Sequence, residues 1–260
     1  QGGEIVVEEI LKKSINQGFT GFQLYFQPQF WTYTEELYGA EALARFFCKE
    51  YGNVPPDVFI PILEQEGLII PFGRWIFREA VMQAKKWRRK HPKFKMSINM
   101  SPHQFADPGF LDYAGHVLEE AEIPAGNITV ELTETCDIGE SAAAGDVIAE
   151  MQAAGLHIAI DDFGTGNANL AALKCHPFQT IKVARQLLSG EETGKCDPFL
   201  SAILQLCHST GAAICQEGIE TEEQLEAMRN AQVELVQGFL LGKPMPAEEF
   251  ERKYLLEMHN

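Results

Sequence analysis

Short apolar stretches alternate with helix-patterned ones almost to the end of the chain, and few architectures accept that order. Strands are expected over residues 23–30, 39–46, 95–101, 128–134, 157–163, 180–184, 213–219 and 235–240. Helices are expected over residues 56–66, 73–90, 109–121, 142–154, 168–174, 198–209 and 221–230, with another starting near Pro246, where proline suits a first helical turn. Residues 1–17 read as a leading helix. Only the first two strands follow one another across a short link, Trp31 to Tyr38, which predicts a hairpin. Eight strands with alternating helices favour an α/β fold closed into a parallel barrel, an architecture that commonly fills ~250 residues. The competitor is an open doubly wound sheet, but no G-x-G-x-x-G follows a strand to support it.

The chain of 260 residues carries 21 basic and 37 acidic side chains, a net charge of −16. Gripping polymeric nucleic acid or an anionic membrane needs a basic footprint, which this balance opposes. A small anionic ligand held through metal cations is compatible with it. The longest apolar region, residues 58–77, is interrupted by Glu64, Glu66 and Arg74 and falls short of the ~18 residues of a membrane span. The basic run from Lys85 to Lys95 closes a helix, where cations complement the dipole and solvate the surface. Six scattered cysteines without a C-x-x-C pair read as thiols of a reducing cytoplasm. Residues 189–197 are the expected mobile loop, and the opening Gln1 reads as the start of an excised piece of a larger protein.

Side chains of a strand alternate between faces. If Ile158 and Ile160 face the helices, Ala159 and Asp161 face inward. The same phase puts Thr129, Glu131 and Thr133, then Ser97 and Asn99, then Thr180, Lys182 and Ala184 on the inner face, and Glu217 shares a row with Cys215. Asn99, Glu131, Asp161, Lys182 and Glu217 therefore lie in the later part of their strands or just past it, and with Glu41 and Asp162 they would crowd one basin at the mouth where barrel sites sit. One such carboxylate is normally a solvated rim residue, and Asp161-Asp162-Phe163-Gly164 alone could be a helix-start turn. Independent rim residues, however, would not share one phase on five strands. Carboxylates packed so closely repel, and one lysine cannot neutralise them; divalent cations can, and oxygen ligands select hard ions such as magnesium or manganese. The pattern points to metal-assisted hydrolysis. A glycosidase using two of the carboxylates stays open on pattern alone.

Longer motifs go further. Glu41-Ala42-Leu43 with Arg45 resembles the signature of the EAL domain, the bacterial cyclic di-GMP phosphodiesterase family. Phe26-Gln27-Pro28, Asn99-Met100-Ser101, Glu131-Leu132-Thr133-Glu134, Glu217-Gly218-Ile219-Glu220 and Gln237-Gly238-Phe239 resemble further family motifs, and Asp161-Asp162-Phe163-Gly164-Thr165-Gly166 matches one in full. The resemblance implies a (β/α)8 TIM-like barrel with one antiparallel strand near the N-terminus. It implies that two ions, Mg2+ or Mn2+, are held, one by Glu41, Asn99, Glu131 and Asp161 and a second by Asp161, Asp162 and Glu217. It implies that Lys182 sits beside the metals and the attacking water, that Glu217 is the general base, and that Gln237 lies at or near the metal site and the substrate. Gln27, Arg45 and Leu43 would contact substrate, and Glu134 would steady the loop after Asp162.

The implied reaction is hydrolysis of cyclic di-GMP to linear pGpG in bacterial second-messenger signalling. The implied setting is a cytoplasmic homodimer, with residues 1–17 leading in from an upstream sensor or GGDEF domain and residues 18–260 forming the phosphodiesterase domain. The chain departs from the family at Lys182-Val183-Ala184, where the third residue is usually Asp. It departs again at Asn167-Ala168-Asn169, usually Tyr-Ser-Ser, at Gln216, usually Ala and expected to turn outward with little consequence, and at Phe46, often Trp. The missing acid at Ala184 keeps a second reading in play, a domain that binds cyclic di-GMP without cutting it.

Overall fold

Apolar residues at every second position build the barrel wall. Met96 and Ile98, Ile128, Val130 and Leu132, Ile158 and Ile160, and Ile181 and Val183 are buried in one large core against the helices. A computed structural model of the chain describes residues 2–133, 142–165, 170–188 and 195–256. Helix α1 (Gly2–Asn16) precedes strands β1 (Phe22–Trp31), β2 (Leu37–Cys48) and β3 (Gly52–Val54) and helices α2 (Pro56–Gln65) and α3 (Ile69–Arg88). Strands and helices then alternate as β4 (Lys95–Asn99), α4 (Phe110–Ala121), β5 (Ile128–Thr133), α5 (Ala142–Ala153), β6 (His157–Phe163) and α6 (Leu170–Cys175). The order continues with β7 (Thr180–Val183), α7 (Pro198–Ser209), β8 (Ala213–Gln216), α8 (Glu222–Asn230), β9 (Leu235–Val236), β10 (Met245–Pro246) and α9 (Ala247–Phe250).

The strands close in the order β1-β9-β8-β7-β6-β5-β4-β2, with β2 pairing back onto β1; β3 and β10 are short flanking additions. Strand β1 runs antiparallel to both neighbours, and the other barrel pairs are parallel. The hairpin is therefore the point where one reversed strand enters an otherwise parallel barrel, and the open-sheet alternative falls. Among the described residues no helix is long and apolar enough to cross a membrane. Cys207 and Cys215 are buried, unbridged thiols, and the basic run does close α3. Glu134, Cys136, residues 166–169 and residues 189–194 lie outside the described residues.

Two strands fall furthest short of the ends their apolar patterns predict. Strand β8 stops at Gln216 and β9 at Val236, so Glu217 and Gln237 stand on the exits. Glycine makes this possible. Gly218 takes φ +75°, and a side chain on Gly238 would collide with the backbone of Ile219. Helix α3 starts before the expected Gly73, which lies inside the helix, where a side chain would collide with that of Gln104.

Helix α1 does not stand apart from the barrel. Val7 and Leu11 pack with Phe22, Phe46, Val54, Phe59, Leu63, Ile69 and Phe72 in a second core, where the Phe22 and Phe46 rings lie 4.4 Å apart. Leu11→Ala is expected to cost about 3 kcal/mol of unfolding free energy in urea titrations, the usual result of emptying a fully buried leucine site. A loss below about 1 kcal/mol would show that α1 is dispensable to the fold.

The segment after β4 is tied to α3 by a bidentate pair. Arg74 Nε and Nη2 donate to the Asp107 carboxylate at 2.7 and 2.6 Å, and Tyr113 donates its hydroxyl to the Arg74 carbonyl at 2.9 Å. The guanidinium hydrogen bonds hold the Asp107 carboxyl below the usual carboxylate range. A lowered folded pKa stabilises above the unfolded value of about 4 and loses that stability as pH falls through the folded one. Asp107→Asn should cost about 1 kcal/mol near neutral pH, a figure restrained by the partial exposure of Arg74. In paired denaturation curves the cost should shrink as pH drops below about 4; a pH-independent cost would discount the ion pair.

Candidate active site

Backbone register brings separate strands to one point. Glu41 on β2 lies opposite Ser97 on β4, Asn99 lies opposite Glu131 on β5, and Asp161 on β6 lies opposite Thr133. Lys182 on β7 reaches into their midst. Its ammonium lies 3.0 Å from Glu41 Oε2, 2.7 Å from Glu131 Oε2, 3.2 Å from Asp161 Oδ1 and 3.0 Å from Glu217 Oε1. Both Lys182 and Glu131 are 1% exposed. Four carboxylates thus converge on one cation inside the mouth of the barrel.

The electrostatics follow from that excess. Burial pushes Glu131 well above the ordinary glutamate value, and the neighbouring Glu41 adds to it. Burial likewise raises Asp161, and lifts Glu217 to about 8. Lys182 runs the other way: burial alone would lower it, but Asp161, Glu131, Glu217 and Glu41 together hold it well above the usual lysine value. Glu41 is the exception among the acids. Burial works to raise it, yet Lys182 and hydrogen bonds from Gln237 and Asn99 prevail, and it is lowered. Asn99 Nδ2 donates to Glu41 Oε1 at 2.7 Å, and Gln237 Nε2 donates to Glu41 Oε2 at 2.7 Å.

Asp161 and Asp162 are adjacent, and simple alternation would send them to opposite faces. The β6–β7 register shifts between Ile160 and Phe163, and Asp162 adopts φ +55°. Aspartate tolerates this left-handed conformation better than most residues, at a cost on the order of 1 kcal/mol. The result is two oxygen triads, Glu41–Glu131–Asp161 and Asp161–Asp162–Glu217, each with ligand atoms within 4.8 Å of one another. Asp161 belongs to both. Its Oδ1 is buried and takes no hydrogen bond from the described residues, although the Lys182 ammonium is close. Hard divalent cations fit such an all-oxygen, charge-rich set, and a shared carboxylate suits two neighbouring ions.

Two clefts border the basin. One of about 290 Å3 is mostly apolar and is lined by Leu43, Arg45, Ile60, Phe72, Met100 and Asn99. The other, about 230 Å3, is polar and is lined by Gln27, Asp162, Arg185, Glu217, Gln237 and Phe239. Among the residues expected to contact substrate, Gln27 and Gln237 join the basin, while Leu43 and Arg45 face the apolar cleft. The Arg45 guanidinium lies 5.4 Å over the Tyr25 ring and donates to the Ala44 carbonyl at 2.9 Å.

Sequence alone passes over one buried glutamine, Gln29, and gives little weight to another, Gln216. Gln29 donates to Gln237 Oε1 at 3.0 Å. It shares the inward phase of Gln27 two residues earlier, a signal that could have found it. Gln216, expected to be inconsequential, is fully buried, and its amide donates to the carbonyls of Val183 and Glu217 at 3.1 and 3.0 Å. It therefore ties the exit of β7, which carries Lys182, to the exit of β8, which carries Glu217. Ala184, also fully buried, keeps its N–H on the Phe163 carbonyl at 3.1 Å and adds no donor to the basin.

Comparison with known proteins puts this basin in context. A family model described as EAL domain matches residues 8–244. Signaling protein YkoW of Bacillus subtilis is 31% identical over 94% of this chain and 30% of its own length. The bifunctional diguanylate cyclase/cyclic di-GMP phosphodiesterase MucR of Pseudomonas aeruginosa is 33% identical over 87% of this chain and 33% of its own. The chain thus spans about a third of these curated relatives. A solved structure titled PaMucR Phosphodiesterase, c-di-GMP complex superposes with a TM-score of 0.82 at 31% identity, covering 92% of this chain and 99% of that one.

Proposed function

The chain belongs to the EAL domain family, and from that premise we propose that it hydrolyses one phosphodiester bond of cyclic di-GMP to give linear pGpG. The observation that carries the reading is the pair of oxygen triads sharing Asp161. Glu41, Asn99, Glu131 and Asp161 would hold one Mg2+ or Mn2+, and Asp161, Asp162 and Glu217 the other. Such ions supply Lewis acidity, acidifying water and offsetting phosphate charge.

The chain's own residues do the rest. Asn99 donates to Glu41 through Nδ2, so its Oδ1 is the atom that would face a cation. Lys182 is locked by carboxylates on several sides, so its charge is already oriented toward a developing phosphorane charge and needs no reorganisation. The Glu217 side chain is 19% exposed, the most open of the four carboxylates around Lys182. It borders the polar cleft, and so it is the group that takes the proton from an attacking water. Leu43 and the apolar cleft receive one base, Phe239 in the polar cleft offers an exposed ring for the other, and Arg45 serves the phosphate between them. Residues 1–17 would lead in from an upstream sensor or GGDEF segment, and the domain would work as a homodimer; the greater length of the relatives supports the first of these.

The test is turnover of cyclic di-GMP by the purified chain with Mg2+, Mn2+, Ca2+ or chelator. Linear pGpG should form with Mg2+ or Mn2+ and not with chelator. Calcium should support at most about a tenth of that rate, because it prefers longer and looser coordination. Tight binding with no product over hours would replace hydrolysis by a receptor role, the reading that Ala184 favours. Full activity in calcium or chelator would overturn the two-ion arrangement.

A further inference from the structure

We infer that Gln29, which touches neither the carboxylates of the basin nor either cleft, is a positioning residue that holds Glu41 in its ligating orientation by acting through Gln237. The inference rests on the functional reading above and deepens it. Ionised Glu41 can only accept hydrogen bonds, so Gln237 must present its Nε2 to it, at 2.7 Å. The same Nε2 donates to Gln27 Oε1 at 3.0 Å, and Gln27 is itself oriented by donating to the Gly242 carbonyl at 3.1 Å. Gln237 Oε1 then needs a donor, and Gln29 Nε2 supplies it at 3.0 Å. All three amides are buried, so water does not substitute for a missing partner at low cost.

The chain of donors runs in one direction only. Reversing the Gln237 amide would set its oxygen against both Glu41 Oε2 and Gln27 Oε1. Removing the Gln29 donor leaves Oε1 of Gln237 unpaired in the barrel interior, and the side chain must move to relieve it. Glu41 then loses the hydrogen bond that helps aim it into the Glu41–Glu131–Asp161 triad. Partners bonded directly to a ligand, as Gln237 is to Glu41, typically change metal affinity by ~10-fold to 100-fold, and Gln29, one step further out, acts through that partner.

The test compares the parent with Gln29→Met, which keeps the length and removes the donor, in wild-type and Gln237→Leu backgrounds. Solvent exchange of the Gln237 side-chain amide, followed by NMR on metal-free protein, should be at least ~10-fold faster in Gln29→Met. Calorimetric titration with Mn2+ alone should show ~10-fold weaker binding, and less than ~2-fold further loss when Gln237 is already leucine. Unchanged exchange at Gln237, or an equal Mn2+ penalty in both backgrounds, overturns the inference, since a general packing defect would not depend on Gln237. Should Gln29→Met fail to fold, Gln29→Asn, whose amide falls a methylene short, carries the same comparison. A parent that binds no Mn2+ at all sinks the metal reading, while amide exchange still decides the role of Gln29.

Discussion

Glu41→Ala is expected to lower turnover of cyclic di-GMP by at least ~10^3-fold while the barrel stays folded. Losing a single preorganised electrostatic group at a reacting centre commonly costs ~10^2- to 10^3-fold, and Glu41 does more than that. It contributes to one oxygen triad, orients Asn99 and Gln237, and shares the Lys182 ammonium with three other carboxylates. The fold should survive because removing one of four crowded acids relieves repulsion as well as attraction. Mn2+ binding measured by calorimetry should weaken in parallel. Wild-type turnover in this variant would mean that the reaction takes place somewhere other than this basin.

Lys182→Met should produce the second large effect, on stability as well as rate. Without the ammonium, Glu41, Glu131, Asp161 and Glu217 face one another with no cation between them. Removing one partner of a buried ion pair typically costs about 3–5 kcal/mol. The sign of the pH dependence is fixed by the direction of the shifts. Glu131, Asp161 and Glu217 already lie above their ordinary values, Glu217 at about 8. Groups with raised folded pKa values stabilise fully below the unfolded values, and that stability is lost as pH rises through the folded ones. Lys182→Met should therefore melt well below the parent at pH 8.5 in chelator and approach it near pH 4.5, with turnover down ~10^2-fold or more. A melting temperature matching the parent's at pH 8.5 would show that the ammonium does not hold the carboxylates together.

Much of the candidate site's geometry is legible in the sequence because strand alternation is a local rule. Asp161, Glu131, Asn99 and Lys182 share an inward phase with apolar partners on the opposite face, and the structure gathers them as that phase requires. Strand ends were less legible. The apolar runs continue to Ile219 and Leu240, whereas pairing stops at Gln216 and Val236, because glycines there let the chain leave the sheet for close backbone contacts that hydropathy does not register. Gln216 was misjudged for a related reason. Alternation says which way a side chain starts, and says nothing of carbonyls on a neighbouring strand that its amide will find.

The sequence by itself determined the barrel, through the order of its elements and the two-residue period of its wall, and it determined the acids that the motifs contain. Tertiary structure alone decided how those acids are aimed. Asp162 joins Asp161 only because its backbone turns left-handed at a break in register. Glu41 is steered by Gln237, which is held by Gln29 from 208 residues away, a bond that exists only once the reversed strand closes the ring beside the chain's last parallel strand. Periodicity is a property of neighbours in sequence, whereas hydrogen-bond direction in a buried network is a property of neighbours in space.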